Sequence, residues 1–342
     1  MKSSITKRTL FDAIMFAYFF CVALVGILSP SSTDLLDLAR NVEAFAVGLI
    51  LGAGLSYGLN AWGFKTLGEI IFEPSHKKAQ AEPVSAFKQA WSWQLLLFLV
   101  VTFTVGSIIT KFSASELLDE DGFAGAVRLF KGLASPKMDL LPKAVMKIIE
   151  TVFMAFMATA FAIPFAFLLS FLCAKNIMRG PVGVAVYVSL RTFMNLIRSI
   201  EALIWAIIFS VWVGIGPFAG MLALMIHSIV SLMKQYSEIV ENVSEGPVEG
   251  IQSTGASQLQ TIWFAIVPQV ILPFISFTVD RWDINIRMAT IIGLVGGGGI
   301  GTLLIQYQGQ AMWPEVGTII LVIAFVVWFM DTASAHLREA LK

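Results

Sequence analysis

Charge is scarce in this chain. Only 13% of its 342 residues are Asp, Glu, Lys or Arg, against about 25% in an ordinary soluble domain. A surface so poor in charge cannot be kept in water, and with 57% hydrophobic residues and a mean hydropathy of +0.80 the bilayer is the expected solvent. Basic and acidic residues balance at 23 each, so no basic excess points to nucleic acid. There are two cysteines, Cys21 and Cys173, both inside apolar runs, which excludes a disulfide framework. The three histidines, His76, His227 and His336, lie too far apart for a zinc motif. Catalytic constellations are missing too: no paired carboxylates, no Ser–His set, no metal cluster. The nearest approach to a phosphate-binding P-loop, Gly58 to Thr66, has Phe64 where the second glycine should meet its lysine. The chain is therefore expected to be no enzyme, and any ATP drive must come from a partner.

What is present is a series of long apolar runs. A crossing needs about 20 apolar residues. Candidate crossings cover 11–28, 44–64, 91–109, 144–173, 182–213, 218–233, 268–286 and 316–330. The first follows Lys2, Lys7 and Arg8 but lacks an Ala-x-Ala site, so it is expected to be retained rather than cleaved as a signal peptide. The second carries Gly48/Gly52 and Gly54/Gly58, spacings that permit close helix approach. Pro164 is expected to kink the fourth. The run 182–213 is too long for one simple crossing, and Gly214-Ile215-Gly216-Pro217 is its expected break. Residues 111–143, acidic and then basic, are expected to form short amphipathic helices at the membrane surface. The fold class is thus all-α: a polytopic transmembrane helical bundle of about eight spans. Placing both termini inside leaves 12 Lys and Arg on the inner segments and 8 on the outer ones, a narrow preference under the positive-inside rule. That orientation puts residues 234–268 in the cytoplasm.

The cytoplasmic stretch has local punctuation. Pro247 suits the first turn of a helix, Gly255 suits a left-handed stop, and a second helix should run to about Ile266. Leu259, Ile262 and Trp263 give this helix–turn–helix an apolar face. The stretch reads either as a docking surface for a partner or as an ordinary amphipathic connection. Farther on, Gly296-Gly297-Gly298-Gly299-Ile300-Gly301 matches the dinucleotide fingerprint formally, but the strand and βαβ unit that fingerprint requires are absent. The run is instead a non-helical bend lining a cavity or a loose external turn.

Ionisable groups inside spans are costly and often functional. Here they are Arg191, Arg198, Glu201, Arg281, Asp283 and Arg287. Arg198/Glu201 and Asp283/Arg287 have spacings at which each pair can meet along one helix and neutralise. Alternatively Arg281 and Arg287 line an anion path, since the guanidinium fork suits phosphorus oxygens. Both readings stay open on the sequence.

The spacing of the cytoplasmic stretch resembles the "EAA" loop of ABC-importer permeases. Glu249, Gly255 and Pro268 match, while Gly250 and Ile251 stand for the two alanines. Flanking segments sharpen this: Gly246-Pro247-Val248-Glu249, Thr254-Gly255-Ala256, Val267-Pro268-Gln269-Val270, Arg281-Trp282-Asp283-Ile284-Asn285-Ile286-Arg287 and Gly293 to Gly301 are similar to the PhnE-type permeases of phosphonate importers. Glu150-Thr151, Ala174-Lys175-Asn176, Asn195 to Ser199 and Val213 to Gly220 fit the same family, whose Pro-Glu after Arg-Ser-Ile stands here as Glu201-Ala202. The resemblance covers about residues 88–335. It implies a permease core of the MetI-like kind over 88–342, with coupling loop 234–268, and makes 1–87 an addition with two spans and a basic linker. It further implies a multi-pass inner-membrane permease, both termini cytoplasmic, that moves phosphonate or a related phosphorus oxyanion by alternating access. Implied partners are an ATP-binding subunit, a second permease copy in a homodimer, and a periplasmic or lipid-anchored binding protein. ATP and Mg would sit on the ATPase and no cofactor on this chain. Glu249, Gly250, Gly255, Ala256 and Pro268 would carry the coupling; Arg198, Arg281, Asp283, Asn285, Arg287 and Gly298 would line the path. The runners-up are a secondary transporter of a small anion, which also uses Gly- and Pro-broken helices, and an ABC permease for another small solute.

Overall fold

The computed structural model describes residues 2–28, 38–62, 66–72 and 90–340. The expected His76-Lys77-Lys78 linker and the Ser29-Pro30-Ser31 junction lie outside the described residues. All regular elements among the described residues are helices. The chain divides into two compact units, Met1–Phe123 and Ala124–Lys342.

The first unit contains α1 (Lys2–Leu28), α2 (Leu38–Ala61), α3 (Leu67–Phe72), α4 (Ala90–Ile109) and α5 (Ala114–Leu117). Of the two glycine pairs on α2, one is used. A Cβ on Gly48 would come within 2.9 Å of the Ala17 Cα, and one on Gly52 within 2.7 Å of the Phe16 Cβ, whereas Gly54 and Gly58 face open space. Close α1–α2 contact thus depends on the first pair alone. Asp12 is fully buried and accepts the Gly68 N–H at 2.9 Å and the Ser56 hydroxyl at 3.1 Å. Gln94 accepts the Leu67 N–H at 2.8 Å. The free donors at the start of α3 are therefore satisfied by side chains from α1 and α4, as a buried helix end requires.

α6 (Glu120–Leu133) spans the division between the units. The second unit continues with a 3₁₀ turn at Met138–Leu140, then α7 (Leu141–Leu172), α8 (Gly180–Ser199), α9 (Ala202–Val213), α10 (Pro217–Glu241), α11 (Glu245–Ser253), α12 (Gln258–Thr261), a π segment at Ile262–Ile266, α13 (Val267–Gly293), α14 (Gly299–Gly309) and α15 (Trp313–Ala340). Seven helices among the described residues are long and apolar enough to cross a membrane, and the 27-residue α1 covers the first expected crossing. The expected bundle of about eight spans is the observed architecture.

The core is built on small residues. Ala144, Ala155, Ala158, Ala162 and Ala166 of α7 have no exposed surface, and with Ile148 and Thr151 they recur at spacings of three and four along one face. Ala155 and Ala158 meet Ala219, Ala223 and Leu224 of α10 and Ile286, Ala289 and Ile292 of α13 in one cluster. Lipid is as apolar as leucine, so close van der Waals packing and interhelical hydrogen bonds, not hydrophobicity, drive this assembly. Toward the α11 end, Tyr236 stacks on Phe274 with centroids 3.8 Å apart, and its hydroxyl lies 2.5 Å from the Thr278 hydroxyl.

Four expectations need correction. The run 182–213 breaks at Ile200 and Glu201, both extended (ψ 121° and 146°), in addition to the expected break at Gly214–Pro217. The resulting 12-residue α9 is about 18 Å long and cannot cross alone. The polar stretch begins later than Lys234, because α10 continues to Glu241. The second helix of that stretch does not stop at Ile266; it runs through the π segment into α13. Finally, α13 extends past Ile286 to Gly293.

Candidate functional site

The segment between α10 and α13 is a helix–turn–helix. α11 carries Glu249 and Gly250 on its exposed surface. It ends at Ser253 with Thr254 as its C-cap, and Gly255 follows at φ +82°, the left-handed stop expected there. No atom lies within 4 Å of where a Gly255 Cβ would be. The demand for glycine is thus conformational and not steric. Ala256 leads to Ser257, which caps α12 reciprocally with Gln260 in a capping box; the sequence reading missed that cap. Pro268 follows Val267, the residue after the π segment, in the first turn of α13. A proline offers no N–H to the carbonyl four residues back and crowds it, and the widened π turn just before it takes up that mismatch.

This segment is pinned at both ends. The Ser244 N–H is accepted by Gln269 at 3.0 Å, and the Gln258 amide donates to the Ile177 carbonyl at 2.8 Å. Behind it, Glu241 accepts from Arg191 at 2.7 Å and from the Lys175 N–H at 2.9 Å, and Asn176 donates to the Val240 carbonyl at 2.7 Å. Arg191 is thereby accounted for as a structural ion pair. A cavity of about 220 Å³ remains between the 176–179 turn and α11, lined by Asn176, Arg179, Glu241, Val248, Gln252 and Ile262 among others. Burial pushes the thiol of Cys173, beside this turn, up to about 11.

The glycine-rich bend lies at the opposite end of α13. It is not a loose turn: Gly297, Gly298, Gly299 and Ile300 are buried. A Cβ on Gly298 would meet Pro217 at 2.6 Å, and one on Gly293 would meet the Gly298 carbonyl at 2.5 Å. Gly296, Gly298 and Gly299 have φ of +92°, +80° and +71°. Glu150 accepts the Gly299 N–H at 3.0 Å, and the Thr151 hydroxyl accepts the Ile300 N–H at 2.8 Å, so two α7 side chains cap α14. Lys147 balances Glu150 at 2.6 Å.

The in-span charges separate into two groups. Asp283 and Arg287 meet at 2.5 Å as their spacing allowed, and Arg287 also reaches Asp331 of α15 at 3.1 Å. Asp280 pairs with Arg338 at 2.5 Å. Arg198 and Glu201 do not meet along one helix, because α8 ends at Ser199 and the chain turns extended. Asn285 is fully buried and donates to Thr159 at 2.8 Å and Ser228 at 2.7 Å, tying α13 to α7 and α10. Arg281 is buried, and no hydrogen bond or ion pair reaches its guanidinium among the described residues.

A continuous helical element thus leads from an exposed, doubly pinned hairpin to a bundle core with buried charge. The family described as "Binding-protein-dependent transport system inner membrane component" matches residues 143–341. The chain belongs to that family. The phosphite transport system permease protein PtxC of Stutzerimonas stutzeri is 37% identical over 197 residues, covering 57% of this chain and 70% of that one. The phosphate-import permease protein PhnE of Mycolicibacterium smegmatis is 33% identical over 221 residues, covering 65% of this chain and 41% of its own length. The resemblance to PhnE-type ABC permeases is thus confirmed. Inward-facing MetNI methionine ABC transporter structures share the fold, with TM-score 0.53 and 19% identity over 60% of this chain and 99% of theirs. The chain is therefore a membrane-embedded permease subunit of a binding-protein-dependent ABC importer. The bend at Ile200-Glu201 is present without the proline usual in the family.

Proposed function

We propose that this permease moves phosphonate, or a related phosphorus oxyanion such as phosphite or phosphate, into the cytoplasm by alternating access driven by ATP hydrolysis in a separate subunit. The observation that carries the coupling half of this reading is the continuity of α12, the π segment and α13. Glu249, Gly250, Gly255, Ala256 and Pro268 form or adjoin an exposed surface whose displacement is delivered directly to the helix bearing Arg281, Asp283, Asn285 and Arg287. The substrate half is supported by the phosphorus oxyanions named for PtxC and PhnE and by the arginine content of the core. In this reading the ATPase binds ATP and Mg, a second copy of the permease completes the channel, and a periplasmic or lipid-anchored protein delivers the anion. Both termini are cytoplasmic, residues 1–87 form an addition to the permease core, and Arg198, Arg281, Arg287 and Gly298 border the path.

Reconstitution of the permease with its ATPase and binding protein in liposomes tests this. Vanadate-sensitive uptake of phosphonate or phosphite is the expected result. Uptake that persists without the ATPase would overturn the coupling, and uptake of neither anion would overturn the substrate.

A further inference from the structure

The buried charges of α13 are compensated with one exception. Asp280 is held by Arg338, and Asp283 by Arg287, which also reaches Asp331. Arg281 is 8% exposed, and its Nε has no hydrogen-bond partner. A half-satisfied group lies near it. His227 of α10 is hydrogen-bonded to the Ile200 backbone but has a buried Nδ1 without a partner, and it sits within electrostatic reach of Arg281, Glu201 and Arg198. Packing sets these groups at one level. Asn285, one turn beyond Arg281, donates to Ser228, the neighbour of His227. Ala202, which opens α9, shares a buried cluster with Leu224, one turn before His227. The level is that of the α8/α9 break, and discontinuous helices at mid-bundle are where transporters commonly hold anionic groups.

A buried guanidinium with no counter-charge is costly to maintain. The α13 carboxylates on either side of it, Asp280 and Asp283, are bonded to Arg338 and Arg287, and Glu201 makes no ion pair with it among the described residues, so a counter-charge at hydrogen-bond distance would arrive with a ligand. We infer that His227 and Arg281 form the anion-selecting station of the path, receiving a tetrahedral phosphorus oxyanion at the α8/α9 break. This rests on the substrate reading proposed above and adds His227, which no motif marks. Arg281 supplies charge and a planar fork of donors to two oxygens. With its other nitrogen donating to the Ile200 backbone, the free Nδ1 of a neutral His227 is an acceptor, so it can tell an acidic P–OH, which donates, from a bare oxygen or a carbon substituent.

The test uses the complete transporter with its ATPase and binding protein in liposomes, supplied with phosphite or methylphosphonate over a range of concentrations. Arg281→Gln is expected to lower uptake of both by about tenfold or more while assembly and basal ATP hydrolysis persist, and Arg281→Lys to recover part of it. His227→Gln is expected to change the ratio of phosphite to methylphosphonate uptake by about threefold or more. If Arg281→Gln does not assemble, the His227→Gln ratio decides: an unchanged ratio overturns the station. With both variants assembled, uptake within about twofold of the unmodified protein and an unchanged ratio would overturn it while leaving the substrate reading intact. Transport of neither anion by the unmodified complex would remove both.

Discussion

Two glycine-bearing turns bracket α13, and they use glycine for opposite reasons. At Gly255 the backbone is left-handed but the surroundings are empty: the residue sets a direction and touches nothing. From Gly293 to Gly301 the backbone is left-handed at three positions and every missing Cβ would strike a neighbour, backbone at Gly293, Gly298 and Gly301 and a side chain at Gly296, Gly297 and Gly299. One turn is open, with free space around it. The other is a closed joint, capped by Glu150 and Thr151 and packed on Pro217.

The largest effect should come from the closed joint. A Cβ on Gly301 would lie 2.1 Å from the Thr290 carbonyl oxygen and 2.8 Å from the Gly293 Cα. Gly301→Ala is expected to cost about 3 kcal/mol or more, read as loss of monodisperse protein in detergent and a fall in Tm. Next is Gly255→Pro, which cannot adopt the left-handed angle; uptake should collapse while basal ATP hydrolysis by the complex remains. Normal uptake by that variant would remove the coupling role of the hairpin. Glu150→Ala comes third, at about 1 to 2 kcal/mol for a lost cap, with Glu150→Gln milder because an acceptor remains. Cys173 should be nearly inert: with the thiol pushed up to about 11, the thiolate fraction near pH 8 is about one thousandth. Maleimide labelling should therefore be slow in the folded protein, rise about tenfold per pH unit toward the alkaline range, and become fast on denaturation. The smallest effect belongs to Gly250→Ala, on the open side, where nothing crowds the new methyl. It should be neutral or stabilising by up to about 1 kcal/mol, measured as Tm of the purified permease.

Legibility in the sequence followed the range of the interactions. Gly255, Pro247 and the Asp283–Arg287 pair declare themselves within a few residues, so spacing sufficed. The capping of α14 joins residues 149 positions apart, and nothing local to Gly299 announces Glu150; the pair Glu150-Thr151 was visible only as part of a family resemblance. The length of 182–213 signalled a break, since about 48 Å of helix overruns an apolar core of about 30 Å. Its position at Ile200-Glu201 did not show, because neither residue is a helix breaker. His227 was silent for a simpler reason. A single histidine in an apolar helix has no pattern, and only its place within electrostatic reach of Arg281 gives it meaning.

The π segment has a mechanical consequence. Gln258 and Arg281 lie on one continuous helical element, about 35 Å apart, whose hydrogen-bond ladder is interrupted by that wide turn, by Pro268 and by Pro273. Such an element works as a torsion bar. A long side chain reaches about 8 Å from its helix axis, so a roll of about 30° applied at the hairpin would sweep its tip through about 4 Å. That stroke is comparable to the radius of a hydrated oxyanion, and it requires neither bending of the helix nor breakage of its backbone hydrogen bonds.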